Sequence, residues 1–338
     1  MSRAALLINL GSPKDTSVKS VKEYLGEFLM DEHVIDLPFW KRWLLVKGII
    51  LNFRPKKSAK AYKCIWWKEG SPLIILSERL RDKVQTKTKA PVYLAMRYAQ
   101  PSIKSVLEEI HQKHPNLKEL YVIPLYPHFA MSSYETVYDK VLELMQAHFP
   151  STQVMVKKAW YNDMDYIKIL SKSIKEKLPE DHHLLFSYHG IPVRHVQKSD
   201  VTGCHCLQVE NCCNKPSPTH NFCYRHQTLE STKLVAEELG LKEGTYESSF
   251  QSRLGRDPWL EPYTAQRFEE LPQEGKSKLA VVCPAFVSDC LETLEEINEE
   301  GKEEFLHAGG KSFVSIPCLN DREDWSALLA QWIEEGKA

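Results

Sequence analysis

The sequence predicts an α/β protein of two lobes, each with a mostly parallel sheet flanked by helices. Three observations carry this. Short apolar runs of strand length alternate with segments whose apolar residues recur at helical spacing. Strands that alternate with helices form parallel sheets through right-handed crossovers, and about four such units run through each half of the chain. The 338 residues suffice for two domains of ordinary size, each able to bury a core.

In the first half, Leu6-Leu7-Ile8 is a buried-strand candidate that ends in the loop Asn9-Leu10-Gly11-Ser12-Pro13. Val18, Val21, Tyr24, Leu25, Phe28 and Leu29 then fall on one helical face. Further strands are expected at Val92–Met96, Leu120–Ile123 and Val154–Val156. Ser102 can cap a helix that buries Ile103, Val106, Leu107 and Ile110, and other helices are expected at Ser132 to Phe149 and Asp163 to Leu178. In the second half, strands are expected at Leu184–Phe186, Tyr246–Phe250, Leu279–Val282 and Phe313–Ile316, with helices from Leu229, Cys290 and Trp325. The expected lobes are residues 1–155 and 156–338, with the last helix able to pack back on the first lobe.

Hydrophobic content of 43%, charged content of 26% and a net charge of -1 describe an ordinary globular chain without a nucleic-acid footprint. No run approaches the ~20 apolar residues that span a bilayer. Met1 to Leu10 lacks the apolar core and cleavage site of a signal peptide, so the expected location is the cytoplasm. There the nine cysteines are reduced, metal-bound or buried rather than paired.

Two regions interrupt the alternation. Asp36 to Gly70 carries Phe39, Trp40, Trp43, Trp66 and Trp67. Aromatics at helical spacing are usually core, which suits Trp66 and Trp67. Phe39, Trp40 and Trp43 suit equally well the lip of a pocket for a large flat ligand, or a contact with a membrane surface. The second region, within residues 201–223, holds Cys204, Cys206, Cys212, Cys213 and Cys223. Thiolates at this density bind soft metal, either zinc or an iron–sulfur cluster. The spacing fits neither the paired C-x₂-C of zinc sites nor the common ferredoxin runs.

The chemistry collects at strand ends of the second half. Ser187-Tyr188-His189-Gly190-Ile191-Pro192 breaks a buried strand at its carboxyl end, where open α/β sheets bind ligands. A histidine satisfied by backbone in a turn is the bland alternative. The stretch Cys283 to Thr293 exits another strand, and Glu292, Glu296 and Glu300 follow at every fourth residue. Such a row is commonly a solvated face, but Glu292 lies in the first turn, where a carboxylate can bind metal or exchange protons. The third loop, Phe250 to Leu260, offers Arg253 or Arg256 to an anionic group and the indole of Trp259.

Together these segments resemble the ferrochelatase family. The resemblance rests on Leu6-Leu7-Ile8-Asn9-Leu10-Gly11-Ser12-Pro13, Gly70-Ser71-Pro72-Leu73, Met96-Arg97-Tyr98, Pro124-Leu125-Tyr126-Pro127, the His189 loop, Phe250-Gln251-Ser252-Arg253, Pro258-Trp259-Leu260 and Asp289-Cys290-Leu291-Glu292-Thr293, in the family's order. It implies two Rossmann-like, class II chelatase-like lobes with a cleft between them. It also implies insertion of Fe²⁺ into protoporphyrin IX with release of two protons, the last step of haem synthesis. His189 and Glu292 match the catalytic and iron-contacting pair, Glu296 and Glu300 a relay, and Arg97, Tyr98, Tyr126 and Trp259 the substrate-binding set. Cys290 stands where some members have histidine, so that role is not carried over. The mid-chain cysteines resemble those of microbial members with a 2Fe-2S cluster. Cys204, Cys206, Cys212 and Cys213 are the expected ligands, Cys223 is the rival fourth, and structural zinc is the alternative. Competing readings are a chelatase for coproporphyrin or sirohydrochlorin and a non-catalytic cluster sensor. Peripheral membrane contact is compatible with all of them.

Overall fold

The computed structural model describes residues 3–253, 255 and 257–337. Their contacts group into two compact units: Met1–Tyr126, Met131–Lys158 and Asn320–Ala338 in the first, Pro127–Ala130 and Ala159–Leu319 in the second.

The first unit is built on a parallel sheet of β1 (Arg3–Asn9), β2 (Val92–Met96), β3 (Glu119–Pro124) and β4 (Gln153–Val156), in the order β2-β1-β3-β4. The central β1 is buried from Ala4 to Asn9, as a strand covered on both faces must be. Ser17 caps the helix Val18–Leu29 by accepting from the Ser20 amide at 3.1 Å, and Val21, Tyr24, Leu25 and Leu29 are its buried stripe. The helix Pro72–Gln85, absent from the sequence expectations, buries Leu73, Leu76, Leu80 and Val84. The last helix, Glu323–Glu335, belongs to this unit: Lys83 donates to the Asp321 carbonyl at 2.6 Å, and Arg3 donates to the carbonyls of Ile333 and Glu334 at 2.7 and 3.0 Å.

The aromatic region of this unit forms the helix Phe39–Trp43, a π-helical segment Leu44–Ile50 and the helix Leu51–Ile65. Trp66 packs edge-on against Tyr62, and Trp67 lies beneath Arg79. Phe39, Trp40, Trp43, Leu44, Ile49 and Phe53 are all exposed.

The second unit repeats the plan with β5 (His183–His189), β6 (Tyr246–Gln251), β7 (Lys278–Val282) and β8 (Ser312–Ile316), all parallel, in the order β6-β5-β7-β8. Leu185, Phe268, Leu271, Leu279, Val281, Ile297 and Phe305 form its core on one face. The helix expected from Leu229 begins at Tyr224, because Cys223 caps it. The helix expected from Cys290 as an ordinary α-helix is instead a π-helix over Glu292–Gly301, continued by an α-turn to His307. In each sheet the chain runs outward to one edge and then returns past its first strand. The topological switch therefore lies between β1 and β3 in one unit and between β5 and β7 in the other, which is where open α/β sheets bind ligands.

Candidate active site

His189 is the last residue of β5, buried strand giving way to a half-exposed imidazole. The turn requires Gly190. Its amide donates to the Gln251 carbonyl at 2.7 Å, and a Cβ there would lie 2.6 Å from that oxygen. The imidazole Nδ1 lies 2.7 Å from the Gly190 carbonyl. A carbonyl only accepts, so Nδ1 carries the proton and Nε2 is the basic nitrogen of the neutral ring. The Phe286 ring stands edge-on to the imidazole. The His189 carbonyl accepts from the phenol of Tyr224 at 2.9 Å.

Gln251, singled out only as part of its loop in the sequence, is the hub of this rim. It ends β6 in register with His189 and is 5% exposed. Its Oε1 accepts from Ser187 at 2.7 Å and from the Cys283 thiol at 3.6 Å, while Nε2 donates to the Glu292 carbonyl at 3.2 Å. One buried amide thus ties the exits of three adjacent strands to the first residue of the π-helix. Ser252, held at φ 66, donates to the Glu296 carboxylate.

The π-helix changes the geometry of the glutamate row. Its hydrogen bonds reach five residues rather than four, so each turn takes up more residues than an α-turn. Residues spaced by four then drift the opposite way from those of an α-helix and still share a face. Two such rows are present. Thr293, Ile297 and Gly301 are buried, while Glu292 and Glu296 are half-buried and Glu300 is exposed. Cys290 is 6% exposed, and burial followed by the neighbouring Glu292 pushes its thiol well above the usual range.

Trp259 is half-buried. Its backbone bridges Pro192, its ring edge backs Gly190, and its Nε1 is buried without a partner among the described residues. Arg253 is exposed and lies over the Tyr263 ring, and Arg256 lies outside the described residues.

In the first unit, Arg97 and Tyr98 follow β2 and turn toward Asp31. The Arg97 Nε donates to the carbonyl and hydroxyl of Thr136 at 3.1 and 2.8 Å, and its guanidinium also pairs with Asp31. Tyr98 is 1% exposed, with its hydroxyl on Asp31 at 2.9 Å, so its ring offers no surface to a ligand. Asp31 also accepts from Thr136 at 2.6 Å and faces His33 at 2.9 Å, and His33 reaches Asp139 at 3.0 Å. Burial raises the Asp31 carboxyl, but these donors outweigh it and hold it well below the usual range. The bond to Asp31 raises His33 to about 9. Tyr126, after β3, is also buried.

The cysteine loop is organised by Asp200, which the sequence reading missed. One carboxylate oxygen accepts from the Thr202 amide, the Thr202 hydroxyl and the Thr219 hydroxyl at 2.9, 2.6 and 2.6 Å. The other accepts from the amides of His205 and Cys206 at 2.8 and 2.7 Å. Cys206, Cys212, Cys213 and Cys223 are buried, whereas Cys204 is exposed and its thiol reaches only toward Thr202. Among the four buried thiols, burial pushes Cys206 up, and the neighbouring Cys223 followed by burial pushes Cys213 up. Donors converge on their sulfurs, from the Leu207 amide to Cys212 at 3.4 Å, Arg225 to Cys213 at 3.2 Å and the His226 amide to Cys223 at 3.5 Å. Among the described residues, no three His, Cys, Asp or Glu side chains are gathered as a site for a single ion.

The model of the ferrochelatase family matches residues 2–337. The chain belongs to the ferrochelatase family. A ferrochelatase of Opitutus terrae is 49% identical over 97% of this chain and 96% of its own length. One of Pseudomonas fluorescens is 47% identical over 98% of this chain and 97% of its own. Among solved structures, SirB from Bacillus subtilis with Fe³⁺ superposes with a TM-score of 0.56 at 12% identity, covering 100% of this chain and 96% of that one, a likeness of fold. Ferrochelatase is the lyase that inserts Fe²⁺ into protoporphyrin IX at the last step of haem synthesis, and that is the activity of this chain.

Proposed function

We propose that the insertion is carried by the rim of the second unit, with His189 as the base and Glu292 as the carboxylate that meets the metal or the departing protons. Two pyrrole N–H groups must lose protons as Fe²⁺ enters, and they are poor acids. A neutral imidazole whose Nδ1 is already bonded offers Nε2 for that transfer near neutral pH. The observation that carries this reading is the buried Gln251 amide, which binds the peptide after His189 through its backbone and the first residue of the glutamate helix through its side chain. Glu296 and Glu300 extend that row toward solvent as a route for protons or hydrated iron. Trp259 backs the His189 turn and remains a candidate for substrate contact. Arg97, Tyr98 and Tyr126 frame the first unit's rim, since Arg97 and Tyr98 are engaged by Asp31.

The cysteine loop fits a 2Fe-2S cluster held by Cys206, Cys212, Cys213 and Cys223, with Cys223 in place of the exposed Cys204. The support is burial of these four thiols and N–H donors aimed at three of their sulfurs. A two-iron cluster takes four thiolates, two on each iron, which these four cysteines would supply. Bound, it cross-links the loop, and porphyrin metallation draws no electron from it.

Among the described residues no helix is long and apolar enough to cross a membrane. Phe39, Trp40, Trp43 and Phe53, with exposed Lys41, Lys47, Arg54, Lys56 and Lys57 around them, support peripheral contact with an anionic bilayer.

The deciding experiment is His189→Ala in anaerobic assays with Fe²⁺ and, in parallel, protoporphyrin IX, coproporphyrin and sirohydrochlorin. Loss of insertion with retained fold and cysteine-bound metal supports the reading. Undiminished insertion by the variant would sink it, and preference for another tetrapyrrole would reassign the substrate.

A further inference from the structure

The peptide plane joining His189 to Gly190 is held at both of its polar atoms. Its N–H donates to the Gln251 carbonyl at 2.7 Å, and its carbonyl accepts from Tyr224 at 2.9 Å. The peptide is trans, so this carbonyl faces away from β6 and toward β7, which ends at Val282 opposite Phe186, and the phenol takes the place of a strand. Tyr224 is 5% exposed and stands edge-on to His128 at 6.0 Å.

Tyr224 is also the first residue of the helix Tyr224–Leu239, and the residue before it is Cys223. The Cys223 sulfur caps that helix by accepting from the His226 amide at 3.5 Å. One turn on, the wholly buried Gln227 donates to the carbonyls of His220 and Asn221 at 3.0 and 2.9 Å, tying the helix to the end of the cysteine loop. Two turns on, Thr232 meets the hydroxyl of Tyr188 at 2.8 Å. The helix therefore grips the last two residues of β5 at separate points, and its gripping end starts at a cysteine of the loop.

We propose that Tyr224 is a positioning residue for His189 and that it links the occupancy of the cysteine loop to metal insertion. With metal on Cys223 the first turn is fixed, the phenol stays on the His189 carbonyl and the imidazole keeps its aim. Without it the cap loosens and His189 samples other orientations. The link rests on the reading of His189 as the base and of Cys223 as a metal ligand.

The test uses the full chain. Tyr224→Phe removes one hydroxyl and keeps the ring. With its iron and sulfide content unchanged, kcat is expected to fall about tenfold while KM for protoporphyrin moves by less than about twofold, as for an interaction that orients the base and does not bind substrate. The second readout is the His189 imidazole signal in ¹⁵N-histidine NMR, assigned by its absence in His189→Ala. Stripping the loop metal with a chelator is expected to move or broaden that signal in the unsubstituted chain and to have no further effect in Tyr224→Phe. An unchanged kcat in Tyr224→Phe overturns the positioning role, and an unmoved signal on stripping overturns the link. If Tyr224→Phe folds poorly, stripping the unsubstituted chain still decides. Metal analysis of that chain tests the cluster separately: a chain that holds no loop metal defeats the cluster reading and the link, while the kcat comparison still judges Tyr224.

Discussion

The two sheets share strand order, and their first strands, β1 and β5, end at corresponding places, yet those ends have opposite fates. β1 ends at Asn9, which is 5% exposed and turned inward, its amide donating to Ser77 at 3.0 Å and its oxygen accepting from the Leu10 amide. Its neighbour across the ladder is the apolar Met96. β5 ends at His189, half-exposed, with the polar hub Gln251 opposite. In each unit a glycine lets the exit pass close to the neighbouring chain: a Cβ would lie 1.9 Å from the Tyr98 carbonyl at Gly11 and 2.6 Å from the Gln251 carbonyl at Gly190. The backbone is common; Asn9 spends its side chain on the fold, whereas the half-exposed His189 is the group proposed to act on the substrate.

Substitutions at these matched positions should separate the two fates. The largest effect belongs to His189→Ala, expected to lower kcat by roughly 10²–10⁴ with little change in melting temperature. Asn9→Ala should do the reverse, costing about 1–2 kcal/mol in denaturant unfolding while kcat stays near that of the unsubstituted chain. Equal losses of activity from the two would abolish the contrast. Next, Asp31→Ala leaves the Arg97 guanidinium without its buried partner and should cost the first unit about 3–5 kcal/mol by the same measurement.

Gly11→Ala tests the same point at the backbone. At φ 109 and with the Tyr98 carbonyl in the way, it should destabilise by about 3 kcal/mol or more. Gly190→Ala pushes the Gln251 carbonyl and should show mainly as lost kcat. The smallest effect is on pH dependence. His33 is raised by its bond to Asp31 from 6.5 to about 9, so its contribution is complete below about pH 6.5 and lost as pH rises through 9. Melting temperatures recorded across that window should decline less steeply for His33→Gln, and parallel curves would remove His33 as the cause.

The strands were legible because burial on both faces writes them as apolar runs, as in Leu184-Leu185-Phe186. His189 and Glu292 could be named as candidates because their loops follow such runs. The hubs could not. Asp31 meets Arg97 and Thr136 across 66 and 105 positions, and Gln251 meets Glu292 across 41, so nothing local marks them. Asp200 lies nearer its partners, but an aspartate before a threonine–glycine turn looks like any surface loop until its carboxylate is seen to gather the cysteine backbone. Cys204 was expected ahead of Cys223 from the resemblance to microbial members, whereas Cys204 is exposed and Cys223 buried.

The first unit draws on both ends of the chain, which has a bearing on synthesis. Arg3, at the start of β1, finds its acceptors at Ile333 and Glu334, and Gly336 lies so close to it that a Cβ would fall 2.2 Å from the guanidinium. A ribosome works toward the C-terminus, so β1 leaves it long before Glu323–Glu335. The second unit, drawn from residues 127–130 and 159–319, has all its parts before then. Of the two units, the one that holds the earlier strands is therefore the one completed later, and until Glu323–Glu335 emerges Arg3 lacks its acceptors at Ile333 and Glu334.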